Sequence, residues 1–122
     1  MKKLFFTICT SAHLLLCTSA FAQSIATGGY HSLFLCTDGT VRACGYNASG
    51  QLGDGTTTDK STPIQVPGLS GITSIAVGSM HSLFLKNDGT VRACGRNNDG
   101  QLGHGTTNKT NIAVNVSSLC VR

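Results

Sequence analysis

HSLFLCTDGTVRACGYNASGQLGDGTT, from His31 to Thr57, recurs as HSLFLKNDGTVRACGRNNDGQLGHGTT from His81 to Thr107, each residue displaced by 50 positions. A fixed period of this size marks a repeat architecture, in which one unit cannot bury its apolar surface alone and leans on a neighbour. Outward from this stretch the two copies run without a gap, Ser24 to Leu69 and Ser74 to Leu119. The chain therefore divides into a leader, residues 1–22, and two repeats, 23–73 and 74–122.

Each copy opens on a short apolar piece, Ser24-Ile25-Ala26 or Ser74-Ile75-Ala76-Val77, followed by Gly28 or Gly78 at a bend. His31 to Leu35 and Val41 to Cys44, like His81 to Leu85 and Val91 to Cys94, are apolar runs split by Asp-Gly, a strong hairpin signal. With Asp38 and Gly39 as a two-residue loop, Cys36 faces Val41, Phe34 faces Ala43 and Leu33 faces Cys44. One face then carries Phe34, Val41 and Ala43, the other Leu33, Leu35 and Cys44. Both are apolar enough to require cover on each side, with Arg42 and Arg92 reaching an edge. The following stretches, Gly45 to Thr58 and Gly95 to Asn108, are loops, because glycine is dense and no helical period appears. A last strand, Pro63 to Val66 or Ala113 to Val116, reads as an edge, since Pro63 cannot donate to a ladder. The fold class is all-β.

Gly-x-x-His-Ser at 28–32 and 78–82, Asp-Gly-Thr-Val at 38–41 and 88–91, and Gly-x-Asn-x-x-Gly-Gln-Leu-Gly at 45–53 and 95–103 together carry a resemblance. They resemble the repeat of the regulator of chromosome condensation family, here as a bacterial-type secreted member with two repeats. The resemblance implies a β-propeller in which each repeat supplies one four-stranded blade, usually seven to a ring. It also implies scaffold roles for Gly28, His31, Asp38, Gly39, Gly45, Gly50 and Gly53, and for Gly78, His81, Asp88, Gly89, Gly95, Gly100 and Gly103. Cys44 and Cys94 stand where the family often has Trp, a small group in place of a large one.

Two blades leave two sheet faces bare, whereas repeat arrays generally need about three units. Truncation of a longer gene, ring closure by self-association, or docking on another repeat protein would each resolve this. The end at Ser117–Arg122, where a third copy would begin, favours truncation. Self-association of two-blade chains gives six blades as a trimer or eight as a tetramer, never seven.

Met1 to Ala22 reads as an export signal: Lys2 and Lys3, an apolar stretch to Cys17, and Ala20-Phe21-Ala22 before cleavage at Ala22. The expected location is secreted or periplasmic, with no membrane association once the signal is removed. Without Lys2 and Lys3, seven Lys and Arg stand against five Asp, a net charge near +2, and the cations are scattered. Nucleic acid is not an expected partner. Cys9 and Cys17 leave with the signal. Of Cys36, Cys44, Cys94 and Cys120, the repeat gives Cys36 and Cys120 no matching partner, which marks them for oxidation, with each other or with another chain.

No residue set assembles a catalytic, cofactor or metal site. His31, Cys44, His81 and Cys94 have the composition of a zinc set, but packed sheets lie about 10 Å apart, too far for one ion. The same spacing disfavours a Cys44–Cys94 disulfide. The histidines are expected to bond backbone within their own blade and the cysteines to act as small buried apolar groups. Asp38 and Asp88 belong to turns. Gly50 to Gly55 lacks the Gly-Lys-Ser/Thr ending of a phosphate loop, and Asn97 to Gly100 lacks the terminal Glu of a calcium loop. The expected function is a non-catalytic exported module that binds a protein partner through its loops. Tyr46, Ala48, Ser49, Asp54, Arg96, Asn98, Asp99 and His104, which differ between copies or match a differing position, are the candidate contacts. The rival is a part-ring with guanine-nucleotide-exchange-like or enzyme-inhibitor activity.

Overall fold

The computed structural model describes residues 21–119. The leader through Ala20, the thiols of Cys9, Cys17 and Cys120, and the last three residues lie outside it, so the export signal and the Cys36–Cys120 pairing concern residues beyond the description. Eight strands follow in order: β1 Ala22–Thr27, β2 His31–Cys36, β3 Val41–Gly45, β4 Lys60–Gln65, β5 Ile72–Val77, β6 His81–Lys86, β7 Val91–Gly95 and β8 Thr110–Asn115. They form two four-stranded antiparallel meanders, β1-β2-β3-β4 and β5-β6-β7-β8, as the expected blades require. Strands β4 and β8 lie at sheet edges, so Pro63 sits where a missing N–H is tolerated.

Strands β1 and β5 begin two residues earlier than the copies do, at Ala22 and Ile72. A bulge at Gln23 and at Thr73 separates the first pair from the rest of each ladder. Ala22 pairs with Cys36, and Phe21 O accepts from Thr37 N at 2.8 Å. Cleavage after Ala22 would remove these contacts and leave β1 to start at Gln23.

The hairpin register differs from the expectation. Leu35 pairs with Val41, Phe34 with Arg42, Leu33 with Ala43 and Ser32 with Cys44. Gly39 N donates to Cys36 O at 3.0 Å and Cys36 N to Thr40 O at 2.9 Å, which closes a three-residue loop with Gly39 at φ 82°. Asp38 does not take a positive φ; its Oδ1 accepts from Thr40 N at 3.0 Å and Thr40 Oγ1 at 2.6 Å. A register moved by one residue redistributes the side chains between the two faces. Leu33, Leu35, Val41 and Ala43 therefore share one face, and Ser32, Phe34, Arg42 and Cys44 the other.

The same register in β6 and β7 makes the packing between blades legible. In blade 1 the Leu33 face is fully buried, and in blade 2 the opposite face, Ser82, Phe84 and Cys94, is fully buried. These two unlike faces meet. Leu33, Leu35, Val41, Ala43, Phe84 and Cys94 form one apolar cluster with Leu52, Val66, Leu69 and Ile72. Gly53 is a close approach in this layer, because a Cβ there would lie 3.0 Å from Cys94 Sγ. That crowding keeps position 53 a glycine.

Candidate protein-contact surface

The bends at 28–30 and 78–80 and the long loops after β3 and β7 lie at one end of the two sheets, and the Asp-Gly hairpins lie at the other. The long loop is built around Asn47. Its Oδ1 accepts from Leu52 N at 2.9 Å, and its Nδ2 donates to Thr56 O and Thr58 O, both at 3.0 Å. Asn97 repeats this with Leu102 N, Thr106 O and Asn108 O. Both asparagines are fully buried, so Asn97 presents no calcium ligand. Sequence reading had treated the x-Asn-x pattern as part of the repeat without assigning this stapling role, although identity of Asn47 and Asn97 in two otherwise drifting loops was a usable signal.

Of the candidate contacts, Tyr46, Ala48, Arg96, Asn98 and Asp99 are exposed. Ser49 and Asp54 are engaged within the molecule. Ser49 Oγ lies 3.9 Å from Met80 Sδ on the neighbouring blade. Asp54 Oδ1 accepts from Thr56 Oγ1 at 2.8 Å and Asn47 Nδ2 at 3.1 Å, and its Oδ2 meets Lys60 Nζ at 3.3 Å. Burial alone would raise the Asp54 pKa, but the hydrogen bonds from Thr56, Asn47 and Lys60 outweigh it and hold the carboxyl below its ordinary value. His104, the matching position, is half-buried with Nδ1 3.3 Å from Thr106 Oγ1.

Tyr30, which the sequence did not single out, joins the surface. Its ring stands 5.8 Å from that of Tyr46, tilted by 57°, and the two are 61 % and 39 % exposed. Tyr46 N donates to Tyr30 O at 2.9 Å, which fixes the pair on a rigid backbone. Tyrosine and arginine on rigid loops are the side chains that dominate protein interfaces, since they cover much area for little lost freedom.

His31 does not bond backbone within its own blade as expected. Its Nε2 lies 2.8 Å from Ser82 Oγ on the other blade, and Ser82 Oγ is 2.7 Å from Gln51 O. The hydroxyl has one hydrogen, which Gln51 O receives, so His31 donates from Nε2. Its Nδ1 is buried without a partner. Burial, with a smaller contribution from the charge of His81, lowers the His31 pKa from its ordinary 6.5 to about 4. Burial also lowers His81. Cys94 Sγ is 3.5 Å from Gln51 O, and burial pushes its thiol up to about 12. Cys36, Cys44 and Cys94 are free thiols. Among the described residues no three His, Cys, Asp or Glu side chains come together as a metal site. Among the same residues no helix is long and apolar enough to cross a membrane, which says nothing about spanning by strands.

Two family profiles, both described as regulator of chromosome condensation (RCC1) repeat, match the chain. One covers residues 38–85 and 88–119, the other 22–51 and 72–101. Among solved structures, yeast RCC1 (Prp20) bound to Kap60 is 23 % identical with a TM-score of 0.76, over 82 % of this chain and 25 % of that one. Prp20p from Saccharomyces cerevisiae, described together with its binding to Gsp1p and histones, gives 23 %, 0.76, 82 % and 26 %. Human WBSCR16 is 30 % identical with a TM-score of 0.72, over 81 % of this chain and 26 % of that one. The chain thus spans about a quarter of the length of these proteins, and the likeness to the yeast proteins is one of fold. The two sheets are blades of a partial β-propeller.

Proposed function

Because this chain belongs to the regulator of chromosome condensation repeat family, we propose that it is a non-catalytic, exported module that binds a protein partner through the loop end of its blades. The observation that carries this reading is the exposed Tyr30–Tyr46 pair, held on rigid backbone at the same end of the sheets as the exposed Arg96, Asn98 and Asp99 of blade 2. The binding of yeast Prp20 to Kap60, and its described binding to Gsp1p and histones, support a binding role in general, without indicating which partner serves here. The leader through Ala22 puts that partner in the periplasm or outside the cell. Self-association into a ring of three or four chains would present several copies of the loop end together and raise its avidity.

A photo-crosslinking residue placed at Ala48 or Asn98, against one in the exposed hairpin turn at Asp88, tests the contact surface in the producing cell. A protein adduct from the loop positions, lost in the Tyr30→Ala, Tyr46→Ala double variant, is the expected result. Equal adducts from Asp88, or insensitivity to the tyrosines, would overturn the loop assignment. Fractionation and intact mass check the export arm: the chain should be found outside the cytoplasm, lacking residues 1–22.

A further inference from the structure

Two chemically equivalent sheets sit in unequal surroundings. Leu33, Leu35 and Val41 are covered by blade 2, whereas their counterparts Leu83 and Val91 are half-buried and Leu85 is 39 % exposed. Conversely Ser82, Phe84 and Cys94 are buried against blade 1, while their counterparts Ser32, Phe34 and Cys44 are half-buried on the far side. Among the described residues there is therefore one uncovered copy of each half of an interface that the chain already makes internally.

We propose that the outer face of blade 2 is a socket for the outer face of blade 1 of a second copy of this chain, joined head to tail. This rests on the self-association named above and is independent of the loop contact. Leu83, Leu85 and Val91, with Ser74 and Ala76 paired beside the leucines, line an apolar depression of about 220 Å³ on the socket. Phe34 of the second copy enters it as Phe84 enters the Leu33 face.

The central bonds of the polar seam have matching groups on the two outer faces. His31 Nε2, Ser82 Oγ and Gln51 O are joined across the internal interface at 2.8 and 2.7 Å. Between copies, His81 Nε2 donates to Ser32 Oγ, and Ser32 Oγ donates to Gln101 O. Cys44 takes the place of Cys94 beside Gly103, where a Cβ would now meet Val116 alone instead of the Cys94 and Val66 pair found at Gly53. Internally, Gly55 N donates to Asn111 O at 2.8 Å and ties the loop of blade 1 to the edge strand of blade 2. The matching bond runs from Gly105 N to Ser61 O. Arginine on the plug face is accommodated, because Arg92 in the internal interface reaches Ala113 O at 3.2 Å. Three internal contacts have no counterpart: Lys109 Nζ to Ala48 O at 3.2 Å, Asn111 Nδ2 to Gly55 O at 3.0 Å and Ser49 Oγ to Met80 Sδ at 3.9 Å, because the matching residues are Asp59, Ser61, and Asp99 with Tyr30.

A heterologous contact of this kind closes into a ring or grows, and it has a polarity that a two-fold dimer lacks. The test uses the full chain as the host leaves it, with Leu85→Glu to spoil the socket and Phe34→Glu to spoil the plug. The wild type should have the mass of three or four chains by light scattering. Each variant alone should be monomeric, with association weakened at least about thirtyfold, as for loss of a buried interface anchor. A one-to-one mixture should give a dimer and nothing larger, because one intact socket meets one intact plug; that recovery also shows both variants to be folded. A readout without variants is alkylation of Cys44, which should become protected in the wild type as concentration rises. A wild type that stays monomeric with Cys44 open at every concentration overturns the proposal. So do variants that assemble normally, a mixture that does not dimerise, or a different repeat protein seated on the Leu85 face. Loop crosslinking that persists in the monomeric variants would leave the partner-binding reading standing on its own.

Discussion

Replacing His31 by Gln should remove much of the acid sensitivity of the folded chain. His31 is 3 % exposed, donates from Nε2 to Ser82 Oγ at 2.8 Å, and has no acceptor for a second proton because Nδ1 is buried and unpartnered. Its pKa falls from 6.5 in the open chain to about 4 in the fold. Above pH 6.5 the ring is neutral in both states and stability is complete. As pH falls through that value the unfolded chain takes up a proton that the folded chain refuses, so stability declines until about pH 4 and then levels. At about 1.36 kcal/mol per pH unit the whole loss is roughly 3 kcal/mol, a large share of the ~5–15 kcal/mol typical of a domain. Gln can donate to Ser82 without titrating. Urea unfolding of wild type and His31→Gln at intervals from pH 7 to 4 reads the effect. The three aspartates with lowered pKa, Asp38, Asp54 and Asp88, act nearer their ordinary value of 3.8, below most of this window. His81, more exposed and less perturbed, leaves a smaller residual slope in the variant. Equal acid slopes in the two proteins would refute the assignment of a neutral, interface-locked imidazole.

Other consequences are open to simple assays. Cys94, fully buried with its thiol pushed up to about 12, should resist iodoacetamide at pH 8 in the native chain and react only on unfolding, by site-resolved mass spectrometry. Asn97→Ala strips three hydrogen bonds and leaves Leu102 N buried without an acceptor, a loss of about 3 kcal/mol measurable by denaturant titration. Phe84→Ala should lose about 3–5 kcal/mol. Phe34→Ala, in a Leu85→Glu background that keeps the chain monomeric, should lose less than half as much, because its face is uncovered there; equal losses would mean that the two faces are not distinguished by packing.

The period of 50, the hairpin of each copy and the edge position of Pro63 could be read from residue order, because Asp-Gly and proline restrict backbone directly. Four strands per copy followed from the family resemblance, and the last strand begins three residues before the expected Pro63 and Ala113. The hairpin register could not be read in that way. Asp-Gly is compatible with a two-residue and a three-residue loop, and the choice turned on whether the Asp38 carboxylate caps Thr40, a contact of 2.6 Å. From that one residue of register follows which residues of β3 share a face with Leu33: Val41 and Ala43 instead of Cys44. The His31–Ser82 bond was hidden for another reason: 51 positions separate the two residues, and the bond crosses from one blade to the other. Among the loop candidates, variability between copies marked Tyr46 and Arg96, but also Asp54, whose ties to Thr56, Asn47 and Lys60 are internal. Tyr30 also differs from its match, Met80, but it lies in the bend after Gly28 and Gly29 outside the long loop, and its exposure depends on that bend.

The central claim is that the bare faces of Leu85 and Phe34 are satisfied by another copy of the chain, and thermal unfolding over a hundredfold range of chain concentration tests it most directly. Linked assembly and folding predict a midpoint that climbs by several degrees as the chain is concentrated. A sharp, cooperative midpoint that stays fixed across the range would show that two blades stand alone, and would contradict the account.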